Sequence, residues 1–577
     1  MVSLLMAVGL FACVQPPTSL PSPPEGASGW VDKPGWRSAT FMIATANPHA
    51  TDAGYRTLRA GGSAVDAAIA AQMVLTLVEP QSSGIGGGAF MVHYDGTAVT
   101  AFDGRETAPA AVDESLFLTA DGKPLEFIDA VVGGRSVGAP GVLRMLELAH
   151  RRYGQLPWAT LFDPAIELAE KGFPLSPRLY SLLAKETHLK KDAAARDYFY
   201  QSDDTPKPIG TLMKNPALAQ TLREIARGGA DAFYRGDIAR DIVAKVRNHP
   251  TNPGRLRESD LAGYRAKERK PVCVIYRRYD VCGMPPPAGG MVVAEILGIL
   301  EYTVIDRRKP TRASVGWQLD PSAVHLYSEA ARLAFADRAA YMADPDIVNI
   351  PPALIDKTYL QQRARLIGDD SMGKARPGDV PGNTARRIEA EALEFPATSH
   401  ISVVDAQGRA LAMTTSIEDA FGSRQFVRGF LLNNQLTDFS FAPQENGRAV
   451  ANRVGPGKRP RSSMAPTLVL RDKQLFMTVG SPGGSSIINY VGKVLIATLD
   501  WGLDVPDAVA LPNFGSRNGP TELEKGRVEN GLVEYLRQHG HDVRLTEQTS
   551  GLQGIMRVPG GWLGGADPRR EGTARGD

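Results

Sequence analysis

Two apolar runs on either side of a short polar turn stand out in the last third of the chain. Residues 401–404 and 410–416 have the short, apolar character of buried strands, and the Asp-Ala-Gln-Gly sequence at 405–408 is typical of a turn. The pattern predicts a β-hairpin whose first strand starts close to Thr398 and whose second strand returns past it. Any chemistry at Thr398 would therefore rest on a rigid pair of strands.

Helical periodicity dominates the first two thirds of the chain, with a second strand region at residues 89–102. Helices are predicted at residues 51–60, 64–77, 142–153, 158–171, 216–228, 237–249, 291–300 and 323–340. Residues 375–393 are charged, broken by Gly and Pro and without a regular period, as expected for a segment that needs freedom to move. Separate strand and helix regions predict a mixed α/β (α+β) fold.

Composition narrows the class of protein. The 577 residues are 43% apolar, which allows a large core or two closely packed parts. With 65 basic and 63 acidic residues the formal charge is +2, which gives no electrostatic argument for nucleic-acid binding. The sequence has no apolar run of the roughly 18 residues that a spanning helix needs, so we expect no transmembrane segment.

The N-terminus has the character of an export signal. Residues 4–12 form a short apolar run that ends at Cys13 and is followed by a Pro/Ser-rich stretch. The sequence Leu-Phe-Ala-Cys at 10–13 resembles a bacterial lipobox, in which Cys13 would be lipidated. Two features depart from a lipobox: no Lys or Arg precedes the apolar run, and Phe11 is an unusual residue before the small residue Ala12. The alternatives to lipidation are therefore simple export and an uncleaved tail. Residues 1–28 are predicted to be an export segment and linker, and the protein to be periplasmic or lipid-anchored.

The other two cysteines favour an oxidising compartment. If Arg277 and Arg278 form a two-residue turn, Cys273 and Cys282 lie opposite each other on a hairpin, within bridging range. A disulfide is the favoured interpretation, and two buried free thiols are the alternative. We expect no metal here, because two cysteines without a nearby histidine make an incomplete site.

Thr398 is the candidate nucleophile. A threonine hydroxyl is a poor nucleophile unless a base lies beside it, and an N-terminal threonine has its own α-amine as that base. Thr398 would gain a free amine only through cleavage of the Ala397–Thr398 bond. The alternative is an ordinary threonine in a strand.

The stretch Pro-Ala-Thr-Ser-His-Ile-Ser-Val-Val-Asp at 396–405 resembles the start of the small subunit of γ-glutamyltransferases, also called glutathione hydrolases. Five separated motifs agree with this family, and the similarity extends over residues 44–567. The resemblance implies a four-layer αββα sandwich of the N-terminal-nucleophile hydrolase type. It also implies self-cleavage into a large subunit, 29–397, and a small catalytic subunit, 398–577, which form a heterodimer that needs no cofactor.

The same resemblance assigns roles to further residues. Ser416 would hydrogen bond to the nucleophile, and the amides of Gly483 and Gly484 would hold the oxyanion. The residues implied for donor binding are Arg105, Ser462 and Ser463 for the α-carboxylate, and Gln435 and Asp438 for the α-amino group. For Arg105 the alternative is a surface ion pair. For the glycine turn at residues 480–484, which contains Gly483 and Gly484, the alternative is a phosphate-binding nest. The turn lacks the following Lys-Ser/Thr of a P-loop, which argues against phosphate binding.

Two features depart from the family pattern. Glu418 stands where many members have an asparagine that contacts the donor α-carboxylate, so an ionised Glu418 would repel a glutamate donor. The alternatives are that Glu418 turns outward or pairs with Arg424 or Arg461. In addition, residues 440–460 are shorter than in members with a lid and contain no tyrosine, which predicts an open site that favours hydrolysis.

The resemblance implies an enzyme that cleaves γ-glutamyl amides such as glutathione through an ester on Thr398. Water, an amino acid or a dipeptide would accept the acyl group. One alternative is a related amidase for another acyl group, such as a cephalosporin or glutaryl acylase. Another is a non-catalytic exported binding protein that keeps the pocket but is not cleaved.

Overall fold

The computed structural model describes residues 27–314, 316–381 and 397–577. The predicted export segment with Cys13, up to residue 26, lies outside the described residues. So does the later part of the irregular segment 375–393. Within the part that the structure describes, no helix combines the length and the apolar character that crossing a bilayer requires.

Two seven-stranded antiparallel sheets form the centre of the molecule. The nucleophile sheet has the strand order Thr573–Gly576, Met42–Thr45, Thr398–Val404, Ala410–Ser416, Gly88–Tyr94, Val99–Gly104, Lys267–Arg269. The second sheet has the order Trp36–Ser38, Gly561–Ala566, Gln553–Val558, Gln474–Gly480, Thr467–Arg471, Tyr279–Gly283, Val272–Tyr276. The two sheets stack face to face through their central strands.

Alternate side chains of the nucleophile sheet enter two different cores. Met42 and Phe90 pack toward the second sheet, whereas Ile43 and Met91 pack toward helices on the opposite side. Because successive residues of a strand point to opposite faces, a strand buried on both faces needs a continuous apolar run. This explains the apolar runs in the sequence.

Helices cover both outer faces, which gives the layer order helix, sheet, sheet, helix. The helices on the nucleophile-sheet side include Pro48–Arg59, Ala64–Val78, Val142–Tyr153, Asp163–Lys171, Pro216–Gly228 and Asp237–Arg247. Those on the second-sheet side include Gly290–Leu300, Pro321–Tyr341, Lys357–Ala364, Ile487–Leu499, Val505–Ala510 and Asn530–Gln538. The fold therefore has two antiparallel sheets within the four layers that the family resemblance implied.

Shorter elements complete the described chain. The short α-helices are Phe127–Val131, Pro177–Lys185, Ala193–Phe199, Asp231–Tyr234 and Glu258–Gly263. The small sheets pair Phe173–Pro174 with Leu212–Met213, Thr311–Ala313 with Gly316–Gln318, Phe426–Val427 with Phe430–Leu431, and Gln444–Glu445 with Arg448–Ala449. A three-stranded sheet joins Phe514–Ser516, Thr521–Glu524 and Val543–Thr546.

Most predicted helices are present, with changes at their ends. The segment predicted as one helix at 158–171 is a 3-10 turn, Trp158–Phe162, followed by the helix Asp163–Lys171. Pro164 is the reason, since it has no N–H to donate within a continuous helix and instead favours a helix start. The predicted strand at 401–404 begins earlier, at Thr398, because Thr398 pairs with Ser416.

Each large sheet contains strands from before and after Thr398. The strand Thr398–Val404 lies between Met42–Thr45 and Ala410–Ser416, and Thr467–Arg471 pairs with Tyr279–Gly283. Cleavage before Thr398 would therefore leave two polypeptides that share both sheets and one set of core contacts. Neither polypeptide has a complete sheet on its own.

The predicted cysteine hairpin is present. Val272–Tyr276 pairs with Tyr279–Gly283, which places Cys273 opposite Cys282 with a Cα–Cα distance of 4.1 Å. The two residues form a disulfide in the structure. The disulfide links the edge strand of the second sheet to its neighbouring strand, and both cysteines are far from Thr398 in the sequence.

Candidate active site

One small pocket brings together nearly all the residues that the sequence assigned to catalysis and donor binding. Its lining consists of Arg105, Thr398, Ser416, Glu418, Gln435, Asp438, Ser462, Ser463, Met464, Gly484 and Ile487. Gly483 directly precedes one of these residues. The disulfide of Cys273 and Cys282 is separate from the site.

The Thr398 hydroxyl lies at one end of a short hydrogen-bond chain whose centre is the Ser416 hydroxyl. Thr398 Oγ1 donates to Ser416 Oγ at 3.2 Å, and Ser416 Oγ donates to the Ala397 carbonyl oxygen at 2.8 Å. The Glu418 backbone N–H also donates to Ser416 Oγ, at 2.8 Å. Thr398 and Ser416 are paired across the hairpin, so the strand register alone fixes this contact. Ser416 thus links the nucleophile to the carbonyl of the peptide bond that precedes it.

Arg105 is fully buried and joins three parts of the site. Its guanidinium forms an ion pair with the Asp438 carboxylate, and Nη2 donates to the Arg461 carbonyl oxygen at 2.7 Å. Its Nε donates to the Pro460 carbonyl oxygen at 3.2 Å. The alternative of a surface ion pair is therefore wrong for Arg105, because its side chain has no exposed surface.

The residues proposed for the donor amino group are adjacent to Arg105. Gln435 Nε2 donates to Asp438 Oδ2 at 2.7 Å, within the 3-10 turn Gln435–Asp438. Among the described residues, the buried Gln435 Oε1 accepts no hydrogen bond. An amide oxygen next to a carboxylate is suited to an ammonium, which has three donors and no acceptor.

The two serines line the pocket on another segment. Ser463 Oγ accepts a hydrogen bond from Arg338 Nη2 at 2.9 Å, and Ser462 Oγ accepts one from the Met464 N–H at 3.2 Å. Arg338, in the helix Pro321–Tyr341, was missed by the sequence reasoning, which predicted only a helix here and assigned no function to it. It adds a second buried cation near the hydroxyls proposed for the α-carboxylate.

The glycine turn connects the strand Gln474–Gly480 to the helix Ile487–Leu499. Gly483 has φ +135° and Gly484 has φ +55°, in the range that favours glycine. A Cβ added at Gly483 would lie 2.5 Å from Tyr490 Cε2. The turn therefore requires glycine at position 483 for both its backbone angle and its packing, as expected for amides that must approach a reacting carbonyl.

Glu418 lies on the side of the pocket proposed for the donor amino group. Its buried carboxylate accepts a hydrogen bond from Asn434 Nδ2, and Thr437 Oγ1 lies 3.5 Å from Oε2. Asn434 and Thr437 belong to the same turn region as Gln435 and Asp438. This placement favours attraction of a donor ammonium over the predicted repulsion of the α-carboxylate.

The alternative in which Glu418 pairs with Arg424 can be compared with the ion pairs that Arg424 makes. Arg424 Nη1 donates to Asp419 Oδ2 at 2.5 Å, and its Nη2 lies 3.1 Å from Glu186 Oε2. These two carboxylates hold the Arg424 guanidinium, and Asn434 connects the two groups, because its Oδ1 accepts a hydrogen bond from the Asp419 N–H at 2.9 Å while its Nδ2 donates to Glu418.

Glu106 is a second residue that the sequence reasoning missed, although it directly follows Arg105. Its fully buried carboxyl group has Oε2 at 3.8 Å from Arg105 Nη1. Burial raises the pKa of Glu106 to about 8, although the charge of Arg105 acts in the opposite direction. At neutral pH this acid is mainly protonated, so it leaves the charge of Arg105 available.

We expect the Michaelis constant for an acidic donor to rise above about pH 8. A carboxyl with a raised pKa is neutral below that value, and on ionisation at higher pH it attracts Arg105 Nη1 away from the donor carboxylate. Glu106→Gln should remove this rise, of roughly threefold to tenfold, because it cannot ionise. The measurement is KM as a function of pH for both proteins with one γ-glutamyl anilide. Titration of the anilide itself affects both proteins equally. Parallel pH profiles would contradict the role of Glu106 ionisation in donor binding.

Residues 440–460 form no large cover in the structure. They contain a small exposed hairpin, Gln444–Glu445 with Arg448–Ala449, whose turn residues Asn446 and Gly447 have positive φ. Asn452, in the same segment, is buried and hydrogen bonds to both sides of the pocket. The segment that was predicted to be a reduced lid thus also supports the site.

One cluster of metal-ligating type, His325, Glu329 and His541, lies away from this pocket. The two imidazoles hydrogen bond to each other at 2.8 Å, and their outer nitrogens contact the Gly368 carbonyl oxygen and Thr521 Oγ1. Glu329 is paired with Arg332. Because protein groups already engage these atoms, we assign the cluster to contacts between the segments before and after Thr398.

Comparison with known proteins identifies close relatives. A model of the family described as Gamma-glutamyltranspeptidase matches residues 50–576. The chain is 36% identical to a glutathione hydrolase proenzyme of Escherichia coli (strain K12), over 92% of this chain and 91% of that protein. It is 32% identical to Acylase ACY 1 proenzyme of Pseudomonas sp. (strain SE83), over 91% of each. The crystal structure of cephalosporin acylase from Bacillus halodurans has a TM-score of 0.82 at 27% identity, covering 97% of this chain and 99% of that chain.

Proposed function

Because the chain belongs to the gamma-glutamyltranspeptidase family, we propose that it is a self-processing enzyme that cleaves γ-glutamyl amides such as glutathione. The observation that carries the proposal is the buried pocket in which the Thr398 hydroxyl meets Ser416 beside the Arg105–Asp438 pair. It offers a nucleophile and complementary charges for an α-amino acid donor in one place.

Maturation is the first proposed step. The Thr398 hydroxyl oxygen attacks the Ala397 carbonyl carbon, whose oxygen accepts the Ser416 hydrogen bond. The Ala397–Thr398 C–N bond then breaks, the Thr398 nitrogen takes the hydroxyl proton, and the acyl group is held on Thr398 Oγ1 as an ester. Water then hydrolyses that ester, which releases the Ala397 carboxylate and leaves Thr398 with a free amine and a free hydroxyl. Relatives named as proenzymes support this step. The shared sheets would hold the two resulting subunits together as a heterodimer.

Catalysis then proceeds by acyl transfer. The Thr398 amine takes the hydroxyl proton, the oxygen attacks the donor amide carbon, and the Gly483 and Gly484 amides stabilise the oxyanion. The amine passes the proton to the leaving nitrogen as the amide bond breaks, and the acyl group remains on Thr398 as an ester. Water or an acceptor amine attacks this ester and restores the hydroxyl. The small exposed hairpin in place of a larger lid favours water as acceptor.

A second candidate is an amidase for another acyl group, because an acylase proenzyme and a cephalosporin acylase are also similar to this chain. Glutaryl and related side chains have a carboxylate but no α-ammonium. The acceptors Gln435, Asp438 and Glu418 would have no cation to bind in such a donor. We therefore favour the γ-glutamyl donor.

The test compares γ-glutamyl and glutaryl anilides of the same leaving group. The proposal expects kcat/KM to be at least roughly tenfold higher for the γ-glutamyl donor, which corresponds to about 1.4 kcal/mol. Equal values, or a preference for the glutaryl donor, would identify an acylase instead. No turnover of either donor by correctly cleaved protein would contradict both functions.

Glu418→Gln should show whether Glu418 attracts the ammonium of the donor or repels its α-carboxylate. Glutamine keeps an oxygen that can accept from Asn434 and removes the negative charge, so we expect KM for the γ-glutamyl anilide to rise roughly fivefold to tenfold. KM for the glutaryl anilide should stay the same or fall, which provides the internal control. A lower KM for the γ-glutamyl anilide would instead support the repulsion that the sequence predicted.

The protein is further proposed to be exported. A disulfide between Cys273 and Cys282 is consistent with an oxidising compartment, as is the apolar N-terminal run.

A further inference from the structure

The two groups of donor-binding residues lie on separate segments that meet at the pocket. The turn Gln435–Asp438 carries acceptors proposed for the ammonium, and Ser462 and Ser463 carry hydroxyls proposed for the carboxylate. A donor with both charges contacts both segments at once. Its binding therefore depends on the spacing between them, whereas a donor with a carboxylate alone depends on one segment.

Asn452 joins these two segments through its side chain. Its Nδ2 donates to the Asp438 carbonyl oxygen at 2.7 Å, and its Oδ1 accepts from the Arg461 N–H at 3.0 Å. Its own carbonyl oxygen accepts from the Ser440 N–H at 3.0 Å. The residue is only 1% exposed, so water does not compete for these bonds.

Arg105 makes a parallel connection, but of a different kind. It contacts the Asp438 carboxylate and the Arg461 carbonyl oxygen, and its charge is the one proposed to bind the donor. A donor carboxylate thus competes with Asp438 for Arg105. Asn452 contacts only backbone groups of the two segments, so its connection remains the same whether or not a donor is bound.

We infer that Asn452 is a positioning residue that sets the distance between the ammonium and carboxylate subsites, and so makes the pocket selective for zwitterionic acyl donors. The inference rests on the proposed function, because it names the class of donor that the same pocket takes. Asn452 itself touches neither the donor nor the reacting atoms. Its effect is on the spacing of the groups that do.

The decisive comparison uses ligands that differ only in the ammonium. Calorimetric titration of cleaved wild-type protein and of Asn452→Ala with L-glutamate and with glutarate gives four dissociation constants. The inference expects Asn452→Ala to weaken L-glutamate binding roughly tenfold, as for a lost pair of buried hydrogen bonds, and glutarate binding less than twofold. In steady-state assays KM for the γ-glutamyl anilide should rise by the same factor, with kcat nearly unchanged.

Two further variants separate positioning from loss of stability. Asn452→Asp keeps the volume and the acceptor for Arg461 but places an oxygen against the Asp438 carbonyl, so it should lose the same selectivity without leaving a cavity. The matched control is Asn215→Ala. Asn215 is also buried, donates to the Gly429 carbonyl oxygen at 2.8 Å and accepts from the Leu218 N–H at 3.0 Å, outside the donor site. It should lower thermal stability without changing the ratio of the two dissociation constants.

Each outcome bears on the inference. The inference would be overturned if both Asn452 variants kept the preference for L-glutamate, or if binding of L-glutamate and of glutarate weakened by the same factor. Asn452 would then be a structural residue. A wild-type protein that binds neither ligand would also overturn the inference. If the wild type prefers L-glutamate and the variants lose that preference, but no anilide is turned over, the inference holds while the proposed reaction fails.

Discussion

Thr398→Ala should leave the chain as a single uncut polypeptide without detectable amidase activity. The variant lacks the hydroxyl that would attack the Ala397 carbonyl, and it can never present an N-terminal threonine. We expect one band on a denaturing gel where the wild type gives two, with masses that place the cut between Ala397 and Thr398. The loss of kcat/KM should be at least roughly 10³-fold, as when a nucleophile is removed elsewhere.

A neighbouring hydroxyl provides the matched control. Ser399 is buried in the same strand, where its Oγ accepts a hydrogen bond from Ser83 Oγ at 3.1 Å, on the face opposite to Thr398. Ser399→Ala should still be cut and remain active. Thr398→Ser should be cut more slowly, because it keeps the hydroxyl. If Thr398→Ala were cut like the wild type, an external protease would be responsible and the nucleophile would lie elsewhere.

The nucleophile hairpin was predictable from sequence because its information is local. Two short apolar runs and the Asp405 turn between them define the two strands, and the register then places Thr398 opposite Ser416. The ends of helices were less predictable, as the proline-induced break at Asp163–Lys171 illustrates. There Pro164, which has no backbone N–H, ends the first turn and starts a new helix although the apolar pattern continues across it.

Contacts between distant segments were not predictable in the same way. Arg105 and Asp438 are 333 positions apart, and the family resemblance assigned them to opposite ends of the donor without indicating that they pair. The position of Glu418 depends on how the turn with Asn434 packs against the hairpin end, which no local pattern encodes. Asn452 carries no sequence signal at all, because a buried amide that bonds to backbone resembles any loop asparagine.

Gly483→Ala should produce the second large effect, a fall in kcat of roughly 10² to 10³-fold with a smaller change in KM. Two constraints meet at this position: φ is +135°, and an added Cβ would lie 2.5 Å from Tyr490 Cε2. The backbone must then rotate, which moves the amides proposed to hold the oxyanion, and the loss of one such donor typically costs this much in rate. Steady-state kinetics on the cleaved variant with a γ-glutamyl anilide would measure both constants.

The alternative explanation of such a loss is general backbone strain, and the chain contains a control for it. Gly502 has φ +73°, and no atom of the described residues lies within 4 Å of a Cβ added there, so Gly502→Ala imposes a positive-φ backbone cost, smaller than that at Gly483, away from the pocket. It should reduce thermal stability and leave kcat unchanged. If both variants lost activity in parallel with stability, the glycine turn would be a structural element. If only Gly483→Ala lost kcat while remaining folded, cleaved and able to bind L-glutamate, the defect would lie in stabilising the transition state, as the oxyanion assignment requires.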